Sequence, residues 1–170
     1  MKPAEARLIR ALDSADPAIR LYLFHGPDEA GARALAARLG KALGPGAERV
    51  DMTAAQLKAD PARLADEAAS ISMFGDRRWI RVDPATDDAA EAIAALLEAS
   101  AGGNPAVAIG PGLRKDSRLV KLASASAAAI VHACDVPEGR DADAMAAEMG
   151  RAGGSRDRRP LSEQGPRRVP

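Results

Sequence analysis

Two kinds of hydrophobic pattern alternate along the chain. Short, largely apolar runs lie at 19–26 (IRLYLFHG), 77–83 (RRWIRVD), 105–111 (PAVAIGP) and 128–135 (AAIVHACD). With the more polar ERVDM at 48–52 they predict five strands. The intervening segments have helical spacing. In 29–43, Ala34, Leu35, Arg38, Leu39 and Leu43 follow a helical period, and Gly44-Pro45-Gly46 ends it. Residues 60–72 predict a helix with Asp60 as N-cap and Pro61 at its first position. Residues 87–100 predict a helix with acids in its first turn, where they suit the helix dipole. Further helices are predicted over 116–126 and 141–152. Strands separated by helices imply βαβ units, a parallel sheet and helices on both its faces. The expected fold is a three-layer α/β domain over residues 1–152 with a five-stranded parallel sheet.

The last 18 residues break the pattern. GGSRDRRPLSEQGPRRVP (153–170) holds five arginines, two acids and three prolines with almost no apolar periodicity, the composition of a disordered basic tail. The remainder has 19 basic and 22 acidic residues, about −3, although the whole chain is neutral with 24 of each. Such a balance gives no global argument for nucleic acid as a direct partner. Aromatics at 2 % argue against base-stacking platforms. No apolar run approaches the roughly 18 residues of a membrane span, and the charged N-terminus has no signal-peptide core. A single cysteine, Cys134, excludes an internal disulfide and fits a reducing cytoplasm. It lies in an apolar run, as a buried thiol does. His25 and His132 are far apart in sequence and lack the spacing of metal ligands, so neither a metal nor another cofactor is expected.

The first strand raises a sharper chemical question. Gly26 and Gly31 have the glycine spacing of the phosphate-binding loop G-x-x-x-x-G-K-[ST], between a strand and a helix. The lysine position holds Ala32, and the hydroxyl position that binds Mg²⁺ holds Arg33. Arg33 is one residue late for the lysine role and has no oxygen to offer a cation. Asp28 and Glu29 repel a polyphosphate while doing the helix-capping job of an anion. The third predicted strand ends in Asp83, suited to Mg²⁺, but Pro84 stands where a water-activating Glu belongs. The fourth ends AIGP, without a polar residue to sense nucleotide. ATP hydrolysis is not expected, and no catalytic residue is assigned.

Three stretches carry a family resemblance: YLFHGPDE (22–29), AASISMFGDRRWIRVD (68–83) and AVAIGPGLRKDSRLVKL (106–122). Over about residues 5–150 the chain resembles the N-terminal part of the delta subunit of bacterial DNA polymerase III, the clamp-loader wrench. The resemblance implies an AAA+-like domain of the P-loop type with a degenerate nucleotide site. It implies binding to the ring-shaped sliding clamp (the beta subunit), opening of one ring interface for DNA, and partnership with the ATP-hydrolysing loader and delta-prime subunits. DNA contact would be indirect or weak. The family belongs to the DNA-directed DNA polymerase assembly, a nucleotidyltransferase, without catalysis of its own being implied here.

By motif position the clamp contact is Met73 and Phe74 with Ile71 beside them, and Arg77 and Arg78 as rim charges. Leu64, Ala68 and Ile71 run i, i+4, i+7 as a core-facing stripe that Phe74 continues if the helix extends so far. Gly75 implies a helix end near Ser72. Adjacent Met and Phe on such a turn cannot both easily point inward, and an exposed apolar pair suggests a partner. The alternative is that both pack beneath the turn. Arg77 and Arg78 have the alternative of solvated strand flanks. Arg114, Arg118 and Lys121 form a basic, helix-spaced cluster facing DNA, a neighbouring subunit or only solvent.

The family is usually about twice as long, with lid and collar domains. The composition shift near residue 152 therefore implies a truncated or frame-shifted product that touches the clamp without joining a loader stably. A P-loop enzyme with an unorthodox loop, such as a small nucleotide kinase, and an inactive paralogue are the other readings.

Overall fold

The computed structural model describes residues 2–71, 73, 77–99 and 103–136. The chain divides into a unit Met1–Asp135, which carries every described element, and residues 136–170, of which only Val136 is described. The helix predicted over 141–152 and the basic tail lie outside the described residues.

Five parallel strands, β1 (Leu21–His25), β2 (Glu48–Met52), β3 (Arg78–Val82), β4 (Ala106–Gly110) and β5 (Ala129–Ala133), form one sheet in the order β2-β3-β4-β1-β5. The central strands β1 and β4 are buried along their whole length, which explains their apolar sequence, broken only by His25 at the end of β1. Their side chains alternate between two cores. Tyr22, Phe24, Val107 and Ile109 meet α1 (Pro3–Ser14) and α2 (Glu29–Leu43). Leu21, Leu23, Ala106 and Ala108 meet α3 (Ala54–Ala59), α4 (Ala62–Ala69), α5 (Ala90–Glu98) and α6 (Arg118–Ser124). The fold is the three-layer α/β arrangement expected.

Several sequence expectations need correction. Helix α1 was not anticipated. Its narrow stripe Leu8, Ala11, Leu12 is buried, and the buried Tyr22 hydroxyl donates to Ala11 O at 3.2 Å. Burial, with Asp16 adding to it, pushes that phenol up to about 12, so it remains a donor at neutral pH. In α2 the buried stripe is Ala32, Ala36, Leu39 and Leu43, while Ala34 and Arg38 face solvent. The helix expected over 60–72 is the shorter α4, and an unexpected helix, α3, precedes it. Thr53 and Gln56 form a reciprocal capping box that opens α3, and Asp60 ends α3 rather than capping α4. The N-cap of α4 is Pro61, without a side-chain cap bond. Asp87–Ala89 forms a 3₁₀ turn before α5, its N-cap Thr86 accepting from Asp88 N.

Candidate functional site

The loop after β1 returns to the C-terminal ends of β4 and β5. Gly26 takes φ +113°, and its N–H donates to Gly110 O at 3.3 Å. Asp28 N donates to Cys134 O, Glu29 N to Pro27 O and Ala32 N to Asp28 O, all at 3.0–3.1 Å. Gly31 N donates to the Asp28 carboxylate at 3.0 Å, as the acidic cap predicts. These N–H groups, which a phosphate cradle would aim at an anion, have partners inside the chain.

The side chains that replace the phosphate-binding set engage one another. Arg33 Nε lies 3.1 Å from Asp83 Oδ2, and its Nη2 lies 3.0 Å from Glu29 Oε1. Asp83, the candidate Mg²⁺ ligand, has a side chain only 10 % exposed. The hydrogen bond to Asp83, then its charge, holds the guanidinium above its usual pKa. The Arg33 cation thus sits beside the carboxylate that a metal would need. Pro84 follows through a cis peptide bond.

Two titratable groups border this loop. Cys134 is buried, and desolvation, then Asp28 and Asp135, pushes its thiol up to about 11; it is a neutral side chain at pH 7, not a nucleophile. His25 is buried at the end of β1, and desolvation lowers its pKa, partly opposed by Asp135. His132 lies on the adjacent strand in edge contact with Phe24 (centroids 6.4 Å apart), so the fold brings the two histidines nearer than the sequence suggested. No cluster of metal-ligating side chains occurs among the described residues. A histidine with a lowered folded pKa favours its neutral form. Its stabilisation is complete above the ordinary value near 6.5 and is lost as pH falls below it. A smaller fall in Tm between pH 7 and about 5.5 is therefore expected for His25→Gln than for the parent chain.

The second locus is the segment after α4. The helix ends at Ala69, and Ser70 turns to extended backbone (φ −71°, ψ 152°). Leu64 and Ala68 are buried, but Ile71 is 91 % exposed because the helix stops before it. The i+7 stripe therefore does not reach Ile71. Met73 is 94 % exposed. Phe74 lies outside the described residues, as do Ser72, Gly75 and Asp76.

A polar cluster that the sequence did not reveal fixes the helix end. Asn104 Nδ2 donates to Glu67 O (3.0 Å) and Ser70 O (2.9 Å). Gly103 N and Asn104 N both donate to Ala68 O at 3.0 Å. Arg78 Nη1 donates to Glu67 Oε2 (3.1 Å) and Ser70 Oγ (3.2 Å). Arg78 Nε is 3.1 Å from Glu48 Oε1, but at an angle that leaves it without a hydrogen bond, so this contact is an ion pair only. Of the two candidate rim arginines, Arg77 is exposed, whereas the Arg78 side chain is 26 % exposed and points into this cluster. Arg78→Ala is expected to lower stability by about 2 kcal/mol, the scale of a lost hydrogen bond to a charged group. It should also speed amide exchange at Ala69 and Ser70 more than in α2.

No protein-family model matches the chain, and no curated sequence is significantly similar to it. Among solved structures, it is similar to the DNA clamp loader delta protein of Bacillus subtilis. The TM-score is 0.59 at 12 % identity, over 86 % of this chain and 47 % of that one. The chain has a clamp-loader-like fold. A DNA polymerase III gamma subunit-related protein of Thermotoga maritima is also similar, with a TM-score of 0.51 at 15 % identity, over 86 % of this chain and 50 % of that one. The chain thus spans about half the length of these two structures. At such identities the likeness is one of fold. Among the described residues no helix is long and apolar enough to cross a membrane.

Proposed function

We propose that the chain is the N-terminal part of a clamp-loader delta subunit. It binds the sliding clamp through Ile71, Met73 and Phe74, and helps hold one ring interface open during DNA replication without hydrolysing ATP. The observation that carries the reading is the exposure of Ile71 and Met73 on a segment whose base is held by Arg78 and Asn104. Large exposed apolar side chains close together in sequence, beyond an anchored helix end, suit insertion into a hydrophobic pocket of a partner. Affinity for one ring state over the other would then bias the ring toward opening. Arg77 lies beside this segment in sequence as a rim cation, and Arg78 acts as a positioning residue. The ATP-hydrolysing and delta-prime subunits are the further partners this role implies.

Two features support the part of the reading that omits ATP: the internally bonded N–H groups of the loop after β1 and the Arg33–Asp83 ion pair. The experiment is a pair of titrations of the full chain, one with the purified clamp and one with labelled ATP and Mg²⁺. Saturable clamp binding with no ATP binding supports the proposal. Micromolar ATP binding that is lost on altering Gly31, without clamp binding, would instead indicate a P-loop enzyme. Neither binding would indicate an inactive paralogue.

A further inference from the structure

The two edges of the sheet differ in kind. Strand β2, at one edge, reads Glu48-Arg49-Val50-Asp51-Met52, and its charges blunt that edge against pairing with another chain. Strand β5, at the other, reads Ala129-Ile130-Val131-His132-Ala133, with no acid, lysine, arginine, proline or glycine. Its ladder with β1 uses alternate residues: Leu21 N donates to Ala128 O at 3.3 Å, and Cys134 N to His25 O at 2.6 Å. The N–H and C=O groups of Ala129, Val131 and Ala133 therefore point away from the sheet. Ser126 O takes the Ala129 N–H at 3.4 Å. No strand among the described residues pairs with the others.

This edge is the floor of a trough of about 340 Å³. One wall is α1, with Ala4, Arg7 and Leu8; the other is the end of α6 and the turn after it, with Ser124, Ser126 and Ala127. A second hollow of about 150 Å³ shares Arg7 and Ile130 with it and adds Arg10 and Ser14. Arg7 and Arg10 are exposed, lie one turn apart on α1 and form no ion pair among the described residues. Asp16 is the one acid lining either hollow. The small side chains of Ala127 and Ala129 leave room for another backbone to approach.

We propose that β5 takes up an extended acidic segment of a partner protein as a sixth strand. Main-chain hydrogen bonds to the outward groups of Val131 and Ala133 hold it, and carboxylates at alternate positions reach Arg7 and Arg10. The positions between them face the opposite wall, with Ser124 and Ala127, and suit small or β-branched side chains. Charge selects this occupant. The chain's own residues 153–170, with five arginines and two acids, carry the wrong sign. A second copy paired edge to edge would bring another Arg7 and Arg10 beside the first. The trough is also separate from the clamp-binding segment: α4 packs against β3, and β4 and β1 stand between β3 and β5.

The test is fluorescence anisotropy of a labelled peptide, Asp-Val-Glu-Val-Asp-Val, titrated with the full chain. Saturable binding is expected, and a Lys-Val-Lys-Val-Lys-Val peptide should not bind. The variant Arg7→Gln/Arg10→Gln should weaken binding at least about tenfold, the scale of a lost charge-assisted hydrogen bond. Its Tm should match the parent's, because both side chains are exposed. Methylating the peptide's amide nitrogens at every second residue reads the backbone contact. One alternate set should abolish binding and the other leave it intact, because a strand donates to one neighbour from alternate residues. Equal sensitivity to the two sets, binding unchanged in the double variant, or no binding by the folded chain overturns the proposal. A concentration-dependent dimer in sedimentation that binds no peptide would give the edge to a second copy, and overturns it too.

Discussion

Replacing Ile71 and Met73 together with alanine is expected to lower affinity for the sliding clamp about a hundredfold or more while leaving Tm within about a degree of the parent value. The two effects separate because both side chains are more than nine-tenths exposed in the free chain. Truncating them removes almost no buried contact from the fold. In a complex the same side chains become buried, at roughly 1.5–3 kcal/mol each. The sum of about 3–6 kcal/mol corresponds to a loss of roughly two to four powers of ten in affinity. It offsets at most the low end of the roughly 4–15 kcal/mol of lost translational and rotational freedom. A wider contact must therefore surround the pair, with Phe74 and Arg77 its nearest candidates in sequence. A large fall in Tm would instead mean that Ile71 or Met73 packs against the domain.

Gly26→Ala should produce the largest loss of stability of any change in the loop after β1, about 3 kcal/mol, or roughly 10 °C in Tm for a domain of this size. At φ +113° an L side chain is strained whatever space surrounds it. An added Cβ would also lie 2.5 Å from Cys134 O and 3.1 Å from Cys134 C. That carbonyl accepts the Asp28 N–H, and the neighbouring Cys134 N–H donates to His25 O at 2.6 Å. The methyl group would push the loop off the end of β5 and weaken both bonds. Gly31→Ala makes the contrast. Its backbone is helical, and the added Cβ meets the movable end of the Asp28 side chain, so the lost cap is partly offset by better helix propensity. Thermal unfolding of the two variants distinguishes a glycine required by the turn from one that tolerates a side chain. Equal Tm values would contradict the structural role given to Gly26.

How far the sequence disclosed these features depended on the range of the interactions involved. Helix α2 and strand β2 occupy the expected residues 29–43 and 48–52, because Asp28 caps the helix, Gly44 ends it, and the strand follows within a few positions. The other four strands were placed correctly and are shorter at their ends. Helix α1 gives only a weak sequence signal because its stripe is narrow and laced with Arg7, Arg10 and Asp13. Helix α3 was not among the expected elements, although its signal is local: Thr53-Ala-Ala-Gln56 before Leu57 is a capping box.

The end of α4 was not legible. Ser70 leaves the helix where Asn104, 34 positions away, takes up its carbonyl and that of Glu67. That long-range cluster, and not a local breaker, puts Ile71 in solvent. Arg33 and Asp83 are likewise 50 residues apart. In sequence Arg33 reads as a departure from a nucleotide-binding motif and Asp83 as a residue suited to Mg²⁺, and the sheet order is what brings α2 and the end of β3 together as an ion pair.

The account rests most on the segment after α4, and direct titration of the full chain against immobilised sliding clamp, without nucleotide, tests it. Saturable binding that a synthetic peptide of residues 69–76 competes away, and that the Ile71→Ala/Met73→Ala variant loses, is the predicted result. Binding indifferent to both the peptide and the variant, or no binding by a folded parent chain, would contradict it.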